Sequence, residues 1–210
     1  MALLVFDFDG TLVDSNALKR RAYGEAAAGI PQAAPHVERV LAMPGQGDRY
    51  WVMIKVAEAL GRPEIAAELI ERYEALTREG ILARLADGWA AMFLDRLASR
   101  GHRAYVSSAT PQPALKTILE HSGLASRLAG FRGGFGRKTE NLHDILSAES
   151  AARATVVGDG ADDVASAAAC GCACIRVDDG DNALFRRTPD DAVAWIESRM
   201  LPPNPQDTAT

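Results

Sequence analysis

The sequence predicts an α/β protein, a doubly wound, Rossmann-like parallel sheet with an α-helical segment inserted after its first strand. Three observations carry this expectation. Short apolar runs at 2–7, 103–107, 154–158 and 173–177, with a weaker one at Leu128 to Phe131, have the length and composition of buried strands. Helix-like stretches lie between them, and that alternation implies parallel strands joined by helical crossovers. Residues 16–85 have no strand-like run and keep helical periodicity, broken only at Gly29-Ile30-Pro31, Pro44-Gly45-Gln46-Gly47 and Gly61-Arg62-Pro63.

Each element has a local reason. The first strand ends where Asp7 replaces the apolar run. Gly88 to Ser99 carries apolar residues at helical spacing and stops at Gly101. Pro111 and Pro113 suit the opening turn of a helix that reaches Ser122 and is ended by Gly123. Gly133-Gly134-Phe135-Gly136 matches no nucleotide-binding pattern and reads as a flexible connection; Thr139-Glu140-Asn141 then opens another helix. Thr188-Pro189-Asp190-Asp191 gives the last helix an N-cap, a proline at its first position and acids in its first turn. The expected domains are a core over 1–15 and 86–200, a helical cap over 16–85, and a loose tail over 201–210, where Pro202, Pro203 and Pro205 sit among polar residues.

Composition bounds the function. The chain has 210 residues, enough for one domain or a domain with a sizeable insertion, and its 48% hydrophobic and 24% charged residues are ordinary for a globular protein. A net charge of -5 argues against nucleic-acid binding through a basic surface. No stretch approaches the roughly 20 apolar residues of a membrane span, and the apolar N-terminus is too short for a signal peptide, so the cytoplasm is the expected location. Cys170, Cys172 and Cys174 lack metal-ligand spacing and read as small buried residues around the last strand. His36, His102, His121 and His143 form no ligand pattern.

The most informative stretch is Val5-Phe6-Asp7-Phe8-Asp9-Gly10-Thr11-Leu12-Val13-Asp14. Asp7 and Asp9 fall at the carboxyl end of the first strand, where open α/β sheets bind ligands. Their i, i+2 spacing puts both on one side of an extended backbone. Two like charges there repel, so the pair calls for a cation or a shared proton. This run resembles the first motif of the haloacid dehalogenase-like hydrolases, most of which are phosphatases. The resemblance continues in order. Ala104-Tyr105-Val106-Ser107-Ser108 is similar to the second motif, a strand ending in a hydroxyl. Lys138 stands where the family has its lysine, and Gly158-Asp159-Gly160-Ala161-Asp162-Asp163 resembles the fourth motif, GDxxxD. The family's helical cap is inserted between the first and second motifs.

The resemblance implies a Mg²⁺-dependent phosphatase acting on a small phosphorylated metabolite, as a monomer or homodimer. Asp7 takes the role of nucleophile, forming an aspartyl-phosphate. Asp9 takes the role of general acid and then general base. The dehalogenases lack a carboxylate at that position and phosphonate-cleaving relatives replace it, so its presence favours phosphate esters. Ser107 is the hydroxyl donor to a phosphoryl oxygen and Lys138 the neutralising cation, with Phe8, Gly10 and Ser108 completing the phosphate-binding set. The metal ligands implied are Asp7, the backbone carbonyl of Asp9, and Asp159, with Asp163 acting through water. Asp162 lies where some relatives carry Asn. One departure is Thr139, since many relatives follow the lysine with proline.

Specificity is expected from the cap. Residues 16–85 hold ten Lys/Arg against nine Asp/Glu, while the remainder holds thirteen against nineteen, so the cap is the less acidic part. Arg49, after the loop Pro44 to Asp48, is the candidate for a second substrate anion. Lys19, Arg20 and Arg21 lie near the first hinge. The simpler reading of all four is an exposed helix charge. Tyr50 and Trp51 either line the pocket or pack the cap. Two alternatives to the phosphatase remain at this stage. One is a phosphomutase of the β-phosphoglucomutase type. The other is a non-enzymatic phospho-acceptor like a response-regulator receiver, against which Asp9 and the distant GDxxxD argue.

Overall fold

The computed structural model describes residues 1–44, 47–178 and 180–200. Gly45 and Gln46 of the expected specificity loop, and the 201–210 tail, lie outside the described residues. The strands are β1 (Leu3–Phe6), β2 (Arg103–Ser108), β3 (Gly130–Gly133), β4 (Thr155–Gly158) and β5 (Ala173–Arg176). The helices are α1 (Asn16–Ala26), α2 (Ala33–Leu41), α3 (Arg49–Ala59), α4 (Ala66–Leu85), α5 (Trp89–Ser99), α6 (Gln112–His121), α7 (Lys138–Ala148), α8 (Ala161–Ala169) and α9 (Pro189–Glu197). The sheet order is β3-β2-β1-β4-β5, with every pairing parallel. The chain winds outward from β1 on one side and returns to it on the other. That reversal opens a crevice at the carboxyl ends of β1, β2 and β4.

Strand alternation sorts the core into two layers. Leu4, Phe6, Ala104, Val106 and Val157 face one way, onto Phe93 and Leu97 of α5, Leu115 and Leu119 of α6, and Val193 and Ile196 of α9. Val5, Tyr105 and Val156 face the other, onto Leu142 and Ile145 of α7 and Ala167 of α8. Both faces of the strands are therefore covered, which is why they read as continuous apolar runs rather than alternating ones. Phe93 anchors the first layer, its ring edge-on to Phe6 at 5.5 Å and stacked on Trp89 at 5.1 Å. Phe93→Ala is expected to lower the unfolding free energy by about 3–5 kcal/mol, read from the urea midpoint at unchanged m-value.

The inserted helices have an apolar centre of their own. Ala22 and Ala26 of α1, Val37 and Val40 of α2, Met53 and Val56 of α3, and Leu69 and Tyr73 of α4 form a buried cluster separate from both sheet layers. Trp51 packs at its edge, with its backbone N–H donating to the N-cap carboxylate of Asp48 (3.0 Å). Two details differ from the sequence reading. β3 begins at Gly130 rather than Leu128, because Leu128 packs against the core while Gly130 pairs with Tyr105. The three cysteines are partly rather than fully buried, packed at the margin of the α7 and α8 layer. No helix among the described residues is long and apolar enough to cross a membrane.

Candidate active site

The crevice is built by the turn after β1. Asp7 continues the ladder, its N–H donating to the Val157 carbonyl (2.8 Å). The chain then folds back: the N–H groups of Leu12 and Val13 donate to the Phe8 carbonyl, and that of Gly10 to the Val13 carbonyl. Phe8 is fully buried and pins the turn from below. Gly10 sits at φ +78°, and a Cβ there would collide with the side chains of Asn16 and Asp159. Only glycine meets both demands, a left-handed backbone and a close approach.

Lys138, the first residue of α7, is the hub of the buried charges. Its Nζ donates to Asp163 Oδ1 (2.6 Å) and lies 3.3 Å from both Asp7 Oδ2 and Asp162 Oδ2. Burial alone would lower its pKa, but the carboxylates of Asp7, Asp163 and Asp162 outweigh it and hold the ammonium charged. Asp7 goes the other way. Burial pushes its carboxyl well above the usual range, and the neighbouring Asp163 and Asp9 add to the effect against the pull of Lys138. Asp163, raised for the same reason of burial, is held by Lys138 and by the Gly160 N–H (3.0 Å). A Cβ on Gly158 would strike the Asp163 carboxylate, so β4 has to end in glycine.

Asp7, Asp159 and Asp163 offer carboxylate oxygens within 4.8 Å of one another. Asp159 is oriented by Asn16 Nδ2 (2.7 Å) and, at 3.5 Å, by the Thr11 hydroxyl. This is an all-oxygen donor set around a buried acid that burial and repulsion disfavour as an anion, so a hard divalent cation fits its chemistry.

Asp9 turns away from that cluster. Ser15 Oγ donates to its Oδ1 (2.6 Å), Thr110 Oγ1 to its Oδ2 (3.0 Å), and Lys19 of α1 forms an ion pair with Oδ2. Burial would raise its pKa, but the Lys19 ammonium, with the hydrogen bonds of Lys19, Ser15 and Thr110, holds it below the usual carboxylate range. Ser107 is buried and accepts from Asn141 Nδ2 at 3.4 Å, beneath the same crevice. The Ser108 hydroxyl is used inside the turn, accepting from the Thr110 N–H (3.0 Å).

The structure divides the predicted cap cations. Lys19 and Arg49 both reach Thr110 Oγ1, at 3.0 and 3.3 Å. Arg20 is spent on Glu38 at the surface (3.1 Å) and Arg21 is exposed, so neither reaches the site and the simpler reading holds for both. Arg49 is buried, with its guanidinium 5.6 Å above the Tyr73 ring. Tyr50 donates to Glu74 (3.0 Å). A cavity of about 240 Å³ opens against Arg49, lined also by Tyr50, Glu74, Arg78 and Pro111. A larger one, about 460 Å³, lies behind the turn after β1 at Leu12, Arg84, Trp89 and Phe185 and touches none of Asp7, Asp9, Asp159 and Asp163. Ser15, Asn16, Thr110 and Asn141 are site residues that sequence reasoning did not find. The clue available for Thr110 was a third hydroxyl just after Ser107 and Ser108.

Known proteins share this fold. The family model for haloacid dehalogenase-like hydrolases matches residues 4–168. A Halobacterium salinarum protein named phosphoserine phosphatase is 32% identical over 184 residues, covering 78% of this chain and 80% of that one. A Thermotoga maritima structure, provisionally assigned as a β-phosphoglucomutase, superposes with TM-score 0.67 at 16% identity, over 95% of this chain and all of that one. A predicted phosphoglycolate phosphatase from Haemophilus somnus 129pt superposes with TM-score 0.65 at 17% identity, over 91% of each chain.

Proposed function

We propose, since the chain belongs to the haloacid dehalogenase-like hydrolase family, that it is a Mg²⁺-dependent phosphatase cleaving a small-molecule phosphate monoester through an aspartyl-phosphate on Asp7. The observation that carries this reading is the buried cluster at the β1 and β4 ends, in which Lys138 ties Asp7 to Asp163 beside Asp159. An anionic nucleophile approaching a phosphate needs positive charge around it, and this cluster is where it is supplied. The halobacterial relative's name favours a phosphatase over the mutase alternative.

In the proposed mechanism Asp7, the Asp9 carbonyl and Asp159 would hold Mg²⁺, with Asp163 acting through water, and the chemistry the ion would supply there is neutralisation of negative charge. Lys138 and the Ser107 hydroxyl bind phosphoryl oxygens, with backbone N–H groups around Phe8, Gly10 and Ser108. The Asp7 carboxylate attacks phosphorus, and Asp9 gives a proton to the departing alkoxide. Asp9 then takes a proton from the water that attacks the phospho-enzyme, which restores Asp7. Lys19 holds the Asp9 carboxyl below the usual carboxylate range, so Asp9 takes up the proton it gives to the leaving oxygen only after the ammonium shifts aside. Residues 16–85 act as the cap over this site, and Arg49 meets a second anion on the substrate.

Assay with p-nitrophenyl phosphate and a panel of metabolite esters tests the reading. Inorganic phosphate is expected with Mg²⁺ and without any sugar bisphosphate. Chelation with EDTA is expected to abolish release and added Mg²⁺ to restore it. Activity that survives chelation contradicts the metal role, and a strict sugar-bisphosphate requirement favours the mutase.

A further inference from the structure

We propose that Thr110 is a positioning residue for Asp9, and that its hydroxyl is aimed at Asp9 only while Lys19 of α1 and Arg49 of α3 both rest on it. This rests on the phosphatase reading, in which Asp9 passes a proton to the leaving oxygen, and adds what holds Asp9 in place and which helices control it.

A threonine hydroxyl has one hydrogen to donate and two lone pairs with which to accept. Thr110 Oγ1 has three described side-chain partners: Asp9 Oδ2 at 3.0 Å, Lys19 Nζ at 3.0 Å and Arg49 Nη2 at 3.3 Å. Neither an ammonium nor a guanidinium can accept a hydrogen bond. The two cations therefore take both lone pairs, and the single hydrogen is left for Asp9. With either cation withdrawn, the hydroxyl has a free lone pair and its rotation is no longer fixed. The direction of this O–H thus depends on where two inserted helices lie. Arg49 is held there from its own side, buried and with its guanidinium 5.6 Å above the Tyr73 ring of α4.

Thr110 also has a firm footing. It is buried just beyond the end of β2, and its N–H donates to Ser108 Oγ (3.0 Å). Asp9, by contrast, sits in the turn after β1, with its carboxylate facing away from Asp7, Asp159 and Asp163. Ser15, which caps α1, holds Oδ1, while Thr110 holds Oδ2. Of the two hydroxyls, Thr110 is the one that ties Asp9 to β2, the strand that carries Ser107. A reacting group displaced by about 1 Å can lose on the order of a hundredfold in rate, so this tie is worth as much as a direct contact.

Steady-state and burst kinetics with Mg²⁺, on an alkyl phosphate and on p-nitrophenyl phosphate, test the assignment. Thr110→Val keeps the side-chain shape and loses the hydroxyl, and Thr110→Ser keeps the hydroxyl. Thr110→Val is expected to lose about ten- to a hundredfold in kcat on the alkyl phosphate with KM within about threefold, and Thr110→Ser to stay within about threefold of wild type. The phenolate departs without a proton, so Thr110→Val should still release one p-nitrophenol per enzyme rapidly before slowing. A variant damaged only in its folding gives a reduced burst. Arg49→Met reads the same junction without altering Thr110. Because p-nitrophenyl phosphate has no second anion, an Arg49 that serves only the substrate leaves its turnover unchanged. An Arg49 that fixes Thr110 lowers it by about fivefold, and no further when combined with Thr110→Val. Wild-type kcat on the alkyl phosphate in Thr110→Val, equal losses in Thr110→Val and Thr110→Ser, or wild-type turnover of p-nitrophenyl phosphate in Arg49→Met overturns the positioning role and leaves the phosphatase reading standing. No release from either ester by the wild-type protein overturns both.

Discussion

Asp7→Asn is expected to cut Mg²⁺-dependent phosphate release by at least about 10⁴-fold while leaving the fold intact. An amide cannot form the aspartyl-phosphate, and no other carboxylate takes its place: Asp9 faces Lys19, and Asp163 is held by Lys138 and Gly160. The same variant makes a stability prediction of definite sign. Burial, with repulsion from Asp163 and Asp9, raises the Asp7 carboxyl in the folded state. A carboxyl raised on folding stabilises below its unfolded pKa, and that contribution is lost as pH rises through the folded value. At neutral pH without metal, ionised Asp7 is therefore a burden, while Lys138 retains Asp163 and Asp162 in its absence. Metal-free Asp7→Asn should melt at or above the wild-type temperature and gain less from added Mg²⁺. Turnover within a hundredfold of wild type removes Asp7 as nucleophile, and a collapsed melting temperature contradicts the account of its burial.

The parts of this site legible in the sequence are those fixed by backbone position. Asp7 is placed by the end of β1, Ser107 by the end of β2, and Asp159 by the end of β4, so a strand reading also places the chemistry. Lys138 is different. Its motif context is thin, and what brings it to Asp7 is the turn from Gly134, whose N–H donates to the Ser108 carbonyl (2.9 Å). The missing proline after it does not misplace it, since the ammonium sits among three carboxylates.

Illegible were the contacts that depend on how α1, α3 and α4 lie on the sheet. Lys19, Arg20 and Arg21 are consecutive, yet only Lys19 reaches Asp9, because successive helical residues point in directions about 100° apart. Helix phase selects it, and no local pattern fixes that phase against the core. Arg49 looks in sequence like an exposed cation at a helix start, and its burial follows from packing on Tyr73 and Thr110, 24 and 61 positions away. The inserted helices therefore place their side chains through tertiary contacts, whereas the strand ends place theirs through motifs.

Asp9→Asn is expected to lower turnover of an alkyl phosphate by about 10²–10⁴-fold, the range for loss of a positioned acid and base. The assigned double role makes a sharper prediction with p-nitrophenyl phosphate. Its phenolate departs without a proton, so the first step proceeds in the variant. The second step still needs a carboxylate to accept the proton of the attacking water, and asparagine cannot. Mixing Asp9→Asn with this ester should give a burst of p-nitrophenol equal to the enzyme present, followed by slow release, with acid-quenched protein carrying one phosphate. An alkyl phosphate should give no burst, because the alkoxide finds no proton. The fold should hold, since asparagine is similar in size and its amide oxygen can accept from one of the two hydroxyls, Ser15 or Thr110, that donate to the separate carboxylate oxygens. A burst with both esters removes Asp9 as the acid, and steady turnover of p-nitrophenyl phosphate at the wild-type rate removes it as the base.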